Sequence, residues 1–270
     1  MDSPAGNIGS PTTVHCSDDD IRRQVEAADT SIFRVTTQTS VNDQKTLLML
    51  QAAVGRLAEY VYLEVGSHLG GTLCPHLLDA RCTQLISIDP RPSSQPDERG
   101  RRFDYAENST ARMLEALSAC IPSHGLLKLV TFDCDASELL PTQLPSKVNL
   151  ALIDGEHTNR AAFRDFVSIL PMLSDDAVIA FHDAQLICDA ICNIEQLLSF
   201  INRRFYGCYA RDHVYALGLG NAGDIVQTTL QHVRHDTDYF LDYSRRQVSF
   251  NIVVNYPLEF LKTSLRSIFR

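Results

Sequence analysis

Residues 148–185, VNLALIDGEHTNRAAFRDFVSILPMLSDDAVIAFHDAQ, hold two apolar runs that each end in an acidic residue, Asp154 and Asp183. Between the runs lies a segment with helical spacing. A strand, helix, strand succession of this kind closes as a right-handed parallel crossover, which brings both strand ends to one edge of a sheet. Ligand crevices form outside the carboxyl ends of such strands. Asp154 and Asp183 are therefore expected in one cleft, with His157 and His182 nearby. Strict alternation along the second strand puts the His182 side chain on the face opposite Asp183.

The preceding chain repeats the pattern. Residues 1–20 are rich in Ser, Pro, Gly, Thr and Asp and read as a flexible lead-in. The segment IRRQVEAADTSIF is a short polar helix candidate. TSVNDQKTLLMLQAAVGRLAEY spaces its leucines and valine as a helix, with Ser40 or Asn42 as the cap. YVYLEV is the first strand and runs into Gly66-Ser67-His68-Leu69-Gly70-Gly71. Glycines at a strand-to-helix turn let backbone approach a ligand, although such turns also serve only to join elements. The spacing is E-x-G-x-x-x-G, not the G-x-G-x-x-G of dinucleotide folds, which disfavours a nicotinamide-dependent oxidoreductase. QLISIDP, the second strand, ends at Asp89, where a carboxylate grips a ribose diol in nucleotide-type sites.

Residues 91–105 contain prolines and a charged run and read as a long mobile loop beside the cleft; Arg99, Arg101 and Arg102 form a solvated face or an anion contact. A covering helix follows at 111–120. LLKLVTF is a third strand with Asp133 and Asp135 at its end. The helix after Asp154 should turn Ala162, Phe163, Phe166, Val167 and Leu170 to the sheet. After the fifth strand come a helix at 186–204 and a β-hairpin, FYGCYARDHVYALGLG, at the sheet edge. Residues 221–270 form a helical extension. Its last apolar face, Leu258, Leu261, Leu265 and Phe269, docks on the domain or on a partner.

A net charge of -9 over 270 residues argues against nucleic acid as the main partner. The eight cysteines form no CxxC pair and read as buried thiols of a reduced protein. The chain lacks an apolar run long enough to span a bilayer, and its amino terminus has neither a basic start nor an apolar core. These features favour a cytoplasmic protein with a small-molecule partner.

Five strand and helix units followed by a hairpin resemble the class I S-adenosylmethionine-dependent methyltransferases over residues 40–219. The resemblance implies an α/β fold with a doubly wound, mostly parallel seven-stranded sheet and an antiparallel hairpin strand at its edge, filling a domain at 21–220. It implies cofactor contacts at Glu64, Gly66, Ser67, Gly70, Asp89, Asp135, Ala136 and Asp154. IDGEH followed by VIAFHD resembles the branch of catechol-type and of sugar and macrolide O-methyltransferases. That likeness implies His157 as general base with Asp154 beside it, and magnesium held by Asp154 and Asp183. The acceptor would be a small-molecule or glycan hydroxyl, and the protein a possible homo-oligomer. One departure is Ala184, where the branch often carries a further Asn or Asp; it leaves open a cofactor-binding scaffold without activity.

Overall fold

The computed structural model describes residues 16–144 and 146–268, with side chains described through residue 254. Helix α1 (Asp18–Glu26) begins at Ser17, whose hydroxyl accepts from the Asp20 N–H. Helix α2 (Val41–Gly55) begins at Ser40, which accepts from Asp43 N–H in the same way. Each cap satisfies a first-turn donor that the helix leaves open and contributes about 1 kcal/mol. Together α1 and α2 enclose Ile21, Val25, Ile32, Leu48 and Ala52.

Strand β1 (Tyr60–Val65) leads through the glycine turn into α3 (Cys74–Leu78) and β2 (Cys82–Ile88). A small hairpin, β3 (Ser94–Pro96) and β4 (Arg102–Asp104), precedes α4 (Thr110–Ser118), α5 (Ser123–Leu126) and β5 (Leu129–Phe132). Then come β6 (Val148–Ile153), α6 (Asn159–Ile169), β7 (Leu173–Phe181) and α7 (Cys188–Phe200). The hairpin β8 (Phe205–Ala210) and β9 (Val214–Leu219), α8 (Ala222–Leu230) and α9 (Thr237–Ile268) complete the described chain.

Seven strands form one sheet in the order β5-β2-β1-β6-β7-β9-β8. Pairings from β5 through β7 are parallel, and β9 runs antiparallel to both β7 and β8. This is the doubly wound, mostly parallel sheet with an antiparallel hairpin at its edge that the strand pattern predicts. Strand β1 is covered on both faces and buried throughout, and it is apolar except at Glu64. Alternate residues feed two cores. Leu63, Ala151 and Ile153 face α6 and α7 through Phe166, Ile191 and Ile194. Tyr62, Leu150 and Leu152 face the other layer, with Leu50, Leu77, Met113, Leu117, Val226 and Leu230.

Two expectations change. Residues 91–105 are not a long loop, because Ser94–Pro96 pairs with Arg102–Asp104 around a turn at Gly100, whose φ is +72°. The arginines there are engaged within the hairpin or its neighbour: Arg99 pairs with Asp97 at 2.6 Å, Arg102 donates to Ser94 at 2.7 Å, and Arg101 to Asn251 at 3.3 Å. Val167 points outward, 42% exposed, while Ala162 and Phe166 are buried. Within the expected helical extension, Thr237–Ile268 is one long helix, α9. The side chains of Leu258, Leu261, Leu265 and Phe269 lie outside the described residues.

Candidate active site

The order of strands reverses between β1 and β6, and the two strand tips come together there. Asp154 N–H donates to Val65 O at 2.8 Å, and a Cβ on Gly66 would lie 2.2 Å from the Asp154 carbonyl oxygen. Gly66 also has φ +90°, so neither the space nor the backbone admits a side chain. Above these tips lies a cleft of about 330 Å³. Gly66, Ser67, Asp89, Asp154, His157, His182 and Asp183 all line it.

The strand-end acids and histidines form one connected group. Asp154 Oδ1 lies 3.1 Å from His157 Nε2 and 2.9 Å from His182 Nδ1. On its other side His157 Nδ1 lies 3.2 Å from Asp183 Oδ2. Burial works against charging His157, but the hydrogen bond and charge of Asp154 and the charge of Asp183 outweigh it and raise its pKa. Burial likewise opposes ionisation of Asp154, yet the adjacent imidazoles hold that carboxyl below the usual range.

The expected orientation of His182 is corrected here. Strand β7 ends at Phe181, and although His182 N–H still bonds Ile153 O at 3.1 Å, the chain turns at Asp183 with φ +50°. Alternation stops with the strand, so both side chains enter the cleft. Asp is among the residues that adopt this left-handed conformation most readily.

Asp43, in the first turn of α2, extends the group. It is fully buried, accepts from His213 N–H at 2.9 Å, and its Oδ2 lies 3.6 Å from His182 Nε2 and 3.8 Å from His213 Nδ1. Neither Asp43 nor His213 stands out in the sequence, since the first looks like a capping residue and the second like part of a hairpin turn. The 91–105 hairpin adds Pro92, Gln95 and Tyr105 to the cleft wall. Its tip also holds the loop that carries His157, because Glu98 N–H donates to His157 O at 2.9 Å and Glu98 Oε2 accepts from Asn159 N–H at 2.8 Å.

The residues expected at a cofactor separate into two sets. Asp89 Oδ2 accepts from His68 N–H at 2.9 Å and Oδ1 from Arg91 N–H at 2.8 Å, with Arg91 Nη1 3.2 Å away. Ser67 is nearly buried and accepts from Ser87 at 2.8 Å. Glu64 does not line the cleft: its carboxyl turns beneath the floor, accepting from Tyr62 at 2.7 Å and from Thr72 at 2.6 Å. Gly70, φ +80°, shapes the turn and packs under Met113 and Leu117. Asp135 lies outside the cleft lining, paired with Arg164 at 2.7 Å, and Ala136 is buried in the core below.

Burial pushes the Glu64 carboxyl up to about 8, and the two hydroxyl donors offset only part of this. In the folded protein Glu64 keeps its proton until about pH 8, whereas unfolded it loses it near 4.5. The stability this proton contributes is complete below pH 4.5 and is lost as pH rises through 8. Glu64→Gln is therefore expected to gain on the order of 3 kcal/mol relative to the parent between pH 5 and pH 8. Urea unfolding across that range measures it, and parallel profiles for the two proteins would contradict it.

Asp154, His157 and His182 each offer one ligand atom, all within 4.8 Å of one another. Asp183 stands on the far side of His157. Asp154 is the one oxygen donor among these three, so the expected pairing of Asp154 with Asp183 is not what converges here, and the two imidazoles suit a transition metal ion. This group fits a divalent cation by its donor chemistry.

Residues 63–184 match the family model of a methyltransferase domain. That stretch of the chain is similar to a methyltransferase domain. No curated protein matches the chain. Among solved structures, the ribosomal protein L11 methylase from Lactobacillus delbrueckii subsp. bulgaricus is 13% identical, over 66% of this chain and 79% of its own, with a TM-score of 0.43. The O-methyltransferase TomG from Streptomyces achromogenes, involved in tomaymycin synthesis and solved with SAM, is 14% identical over 77% and 92%, with a TM-score of 0.46. The MycE methyltransferase of mycinamycin biosynthesis, solved with Mg, SAH and mycinamycin VI, is 12% identical over 73% and 54%, with a TM-score of 0.47. Likeness of this order does not identify an acceptor. The methyltransferase domain match spans the tips of β1, β2, β6 and β7, and so takes in Glu64, Asp89, Asp154, His157 and Asp183. Among the described residues no helix is long and apolar enough to cross a membrane.

Proposed function

We propose that the protein is an S-adenosylmethionine-dependent O-methyltransferase that acts on a small-molecule or glycan hydroxyl in the cytoplasm, with His157 as general base. The observation that carries this reading is the His157 imidazole, held between Asp154 and Asp183 at 3.1 and 3.2 Å on the wall of the cleft. In this reading Gly66 and Ser67 approach the cofactor through backbone, Asp89 receives its ribose, and Glu64 supports the same wall through Thr72. Asp135 and Ala136 serve the site only through the loop they belong to.

A hydroxyl attacks a sulfonium methyl poorly while it keeps its proton. In this reading one ring nitrogen of His157 is released from its carboxylate and accepts that proton as the carbon–oxygen bond forms and the carbon–sulfur bond breaks. Holding the two reactants in line contributes on the order of 7–11 kcal/mol in favourable systems. A divalent cation on Asp154 and Asp183 would lower the pKa of the acceptor hydroxyl and compete with the proton that those carboxylates favour on His157. The 2.9 Å contact with His182 Nδ1 keeps the carboxylate of Asp154 in place, while the charge of Asp43 lies 3.6 Å from the other ring nitrogen. Tyr105, Gln95 and Pro92 give the acceptor a wall that combines an apolar surface with polar atoms.

A second reading, a protein that binds the cofactor without transferring its methyl group, draws on Ala184, which is fully buried and offers no ligand after Asp183. Incubation with methyl-labelled cofactor and a panel of sugar and catechol acceptors separates the two. The first reading expects label in an acceptor, a sharp loss with a chelator, and recovery on adding Mg2+ or Mn2+. Cofactor binding with no label in any acceptor favours the second, and full turnover in chelator removes the cation from the account.

A further inference from the structure

Three donor atoms converge in the cleft from separate segments. Asp154 follows β6, His157 stands in the loop before α6, and His182 follows β7. Asp154 Oδ1 lies 3.1 Å from His157 Nε2 and 2.9 Å from His182 Nδ1, and the three donors fall within 4.8 Å of one another. Bonds of about 2.1 Å to one metal ion set neighbouring donors about 3.0 Å apart at a right angle and about 3.4 Å apart at the tetrahedral angle. The two measured edges lie close to the first value. The donors are also held in place, since His182 is buried and the His157 loop is tied down by Glu98.

The outer nitrogen of each ring faces a further carboxylate. His157 Nδ1 lies 3.2 Å from Asp183 Oδ2, and His182 Nε2 lies 3.6 Å from Asp43 Oδ2. A carboxylate behind a histidine keeps the hydrogen on the nearer nitrogen and leaves the lone pair of the other for a metal. Both rings have that arrangement, and both turn the remaining nitrogen to Asp154 Oδ1. Without an ion, those two nitrogens bond the carboxylate only by carrying hydrogens. A divalent ion replaces two such protons with equal charge.

We propose that Asp154, His157 and His182 form a binding site for a transition-metal ion of the zinc class, with Asp183 and Asp43 supporting the two rings from behind. Imidazole nitrogens suit such ions, whereas magnesium takes oxygen donors and keeps several waters. The site differs from a magnesium pair at Asp154 and Asp183, because the His157 ring lies between those carboxylates. Three protein donors leave a position open to water or a substrate oxygen. The ion also bears on the proposed base. With Nε2 as a ligand and the hydrogen on Nδ1 toward Asp183, His157 has no lone pair left for a proton. Ion binding and proton acceptance are then alternative states of one ring. Only this last consequence rests on the methyl-transfer reading; the site itself does not.

The test uses the full-length protein, stripped with a chelator and then freed of it, with no methyl donor or acceptor present. Calorimetry with Zn2+ should show a site of one ion per chain, filled at least about 100-fold more tightly than with Mg2+, and Co2+ should develop visible absorption as it binds. His157→Gln and His182→Gln should each weaken Zn2+ binding by about 100-fold or more, and Asp183→Asn by about 10–100-fold. Thermal unfolding reports whether each variant folds. His157 lies in a loop with its side chain 19% exposed, so His157→Gln decides the matter even if His182→Gln does not fold. Zn2+ binding that survives His157→Gln unchanged places the ion elsewhere, and Mg2+ filling the site as tightly as Zn2+ makes it an oxygen site; either result overturns the proposal. A protein that binds Zn2+ as described but not S-adenosylmethionine would sink the methyl-transfer reading and leave this site standing.

Discussion

Replacing His157 by alanine is expected to lower methyl transfer by about 10²–10⁴-fold, the range associated with loss of a positioned general base. The melting temperature and cofactor affinity should stay close to those of the parent. The structure gives the reason for the separation. His157 sits on a loop, not in a strand, and Asp154 keeps its 2.9 Å contact with His182 when the ring is removed. Asp183 keeps Gln185, whose Nε2 donates to it at 2.9 Å. Neither acid is left without a partner, so the fold loses little. The turnover number at saturating acceptor measures the effect, with thermal unfolding as the control. Unchanged turnover in a folded His157→Ala protein would remove the base assignment.

The second large effect is expected at Gly66. An alanine there places Cβ 2.2 Å from the carbonyl oxygen of Asp154 and 2.6 Å from Gly155 Cα, both of them backbone, and it must also hold φ at +90°. Backbone cannot move aside as a flexible side chain can. Relief requires β1 and β6 to separate at their tips, at a cost of about 3 kcal/mol or more. Gly100→Ala provides the comparison. Gly100 has a similar φ of +72° but nothing within 4 Å of an added Cβ, so only the conformational cost of about 1–2 kcal/mol applies. Urea unfolding of the two variants isolates the clash from the backbone term. Equal losses would mean that the strand tips do not meet as described.

The parts of the fold that were legible in the sequence share one property: their pattern is local. Strand β1 is legible in YVYLEV because burial on both faces demands apolar side chains at nearly every position, Glu64 being the exception. The hairpin after α7 reads from two apolar runs around Ala-Arg-Asp-His. Asp154, His157 and Asp183 were legible as a group because each follows the end of a predicted parallel strand, and topology alone brings such ends together.

What escaped the sequence depends on contacts between distant segments or on departures from regular backbone. Asp43 lies 170 residues from His213, and nothing in the spacing of either connects them. His182 was misdirected by carrying strand alternation one residue past the end of β7. The β3–β4 pair was hidden because three-residue strands carry too little alternation to register against two prolines and a charged turn. Glu64 could be identified at the tip of β1, but whether its carboxyl rises into the cleft or turns beneath it depends on Tyr62 and Thr72. Those partners send it beneath.

The central claim, that the cleft above β1 and β6 receives S-adenosylmethionine, is tested most directly by titrating the full-length protein with that cofactor in a calorimeter, alongside Gly66→Ala. The account predicts saturable heat at one site per chain, a rise in melting temperature as the cofactor binds the folded state, and loss of both in the variant. No heat and no thermal shift, or the same response to a nicotinamide dinucleotide, would contradict it.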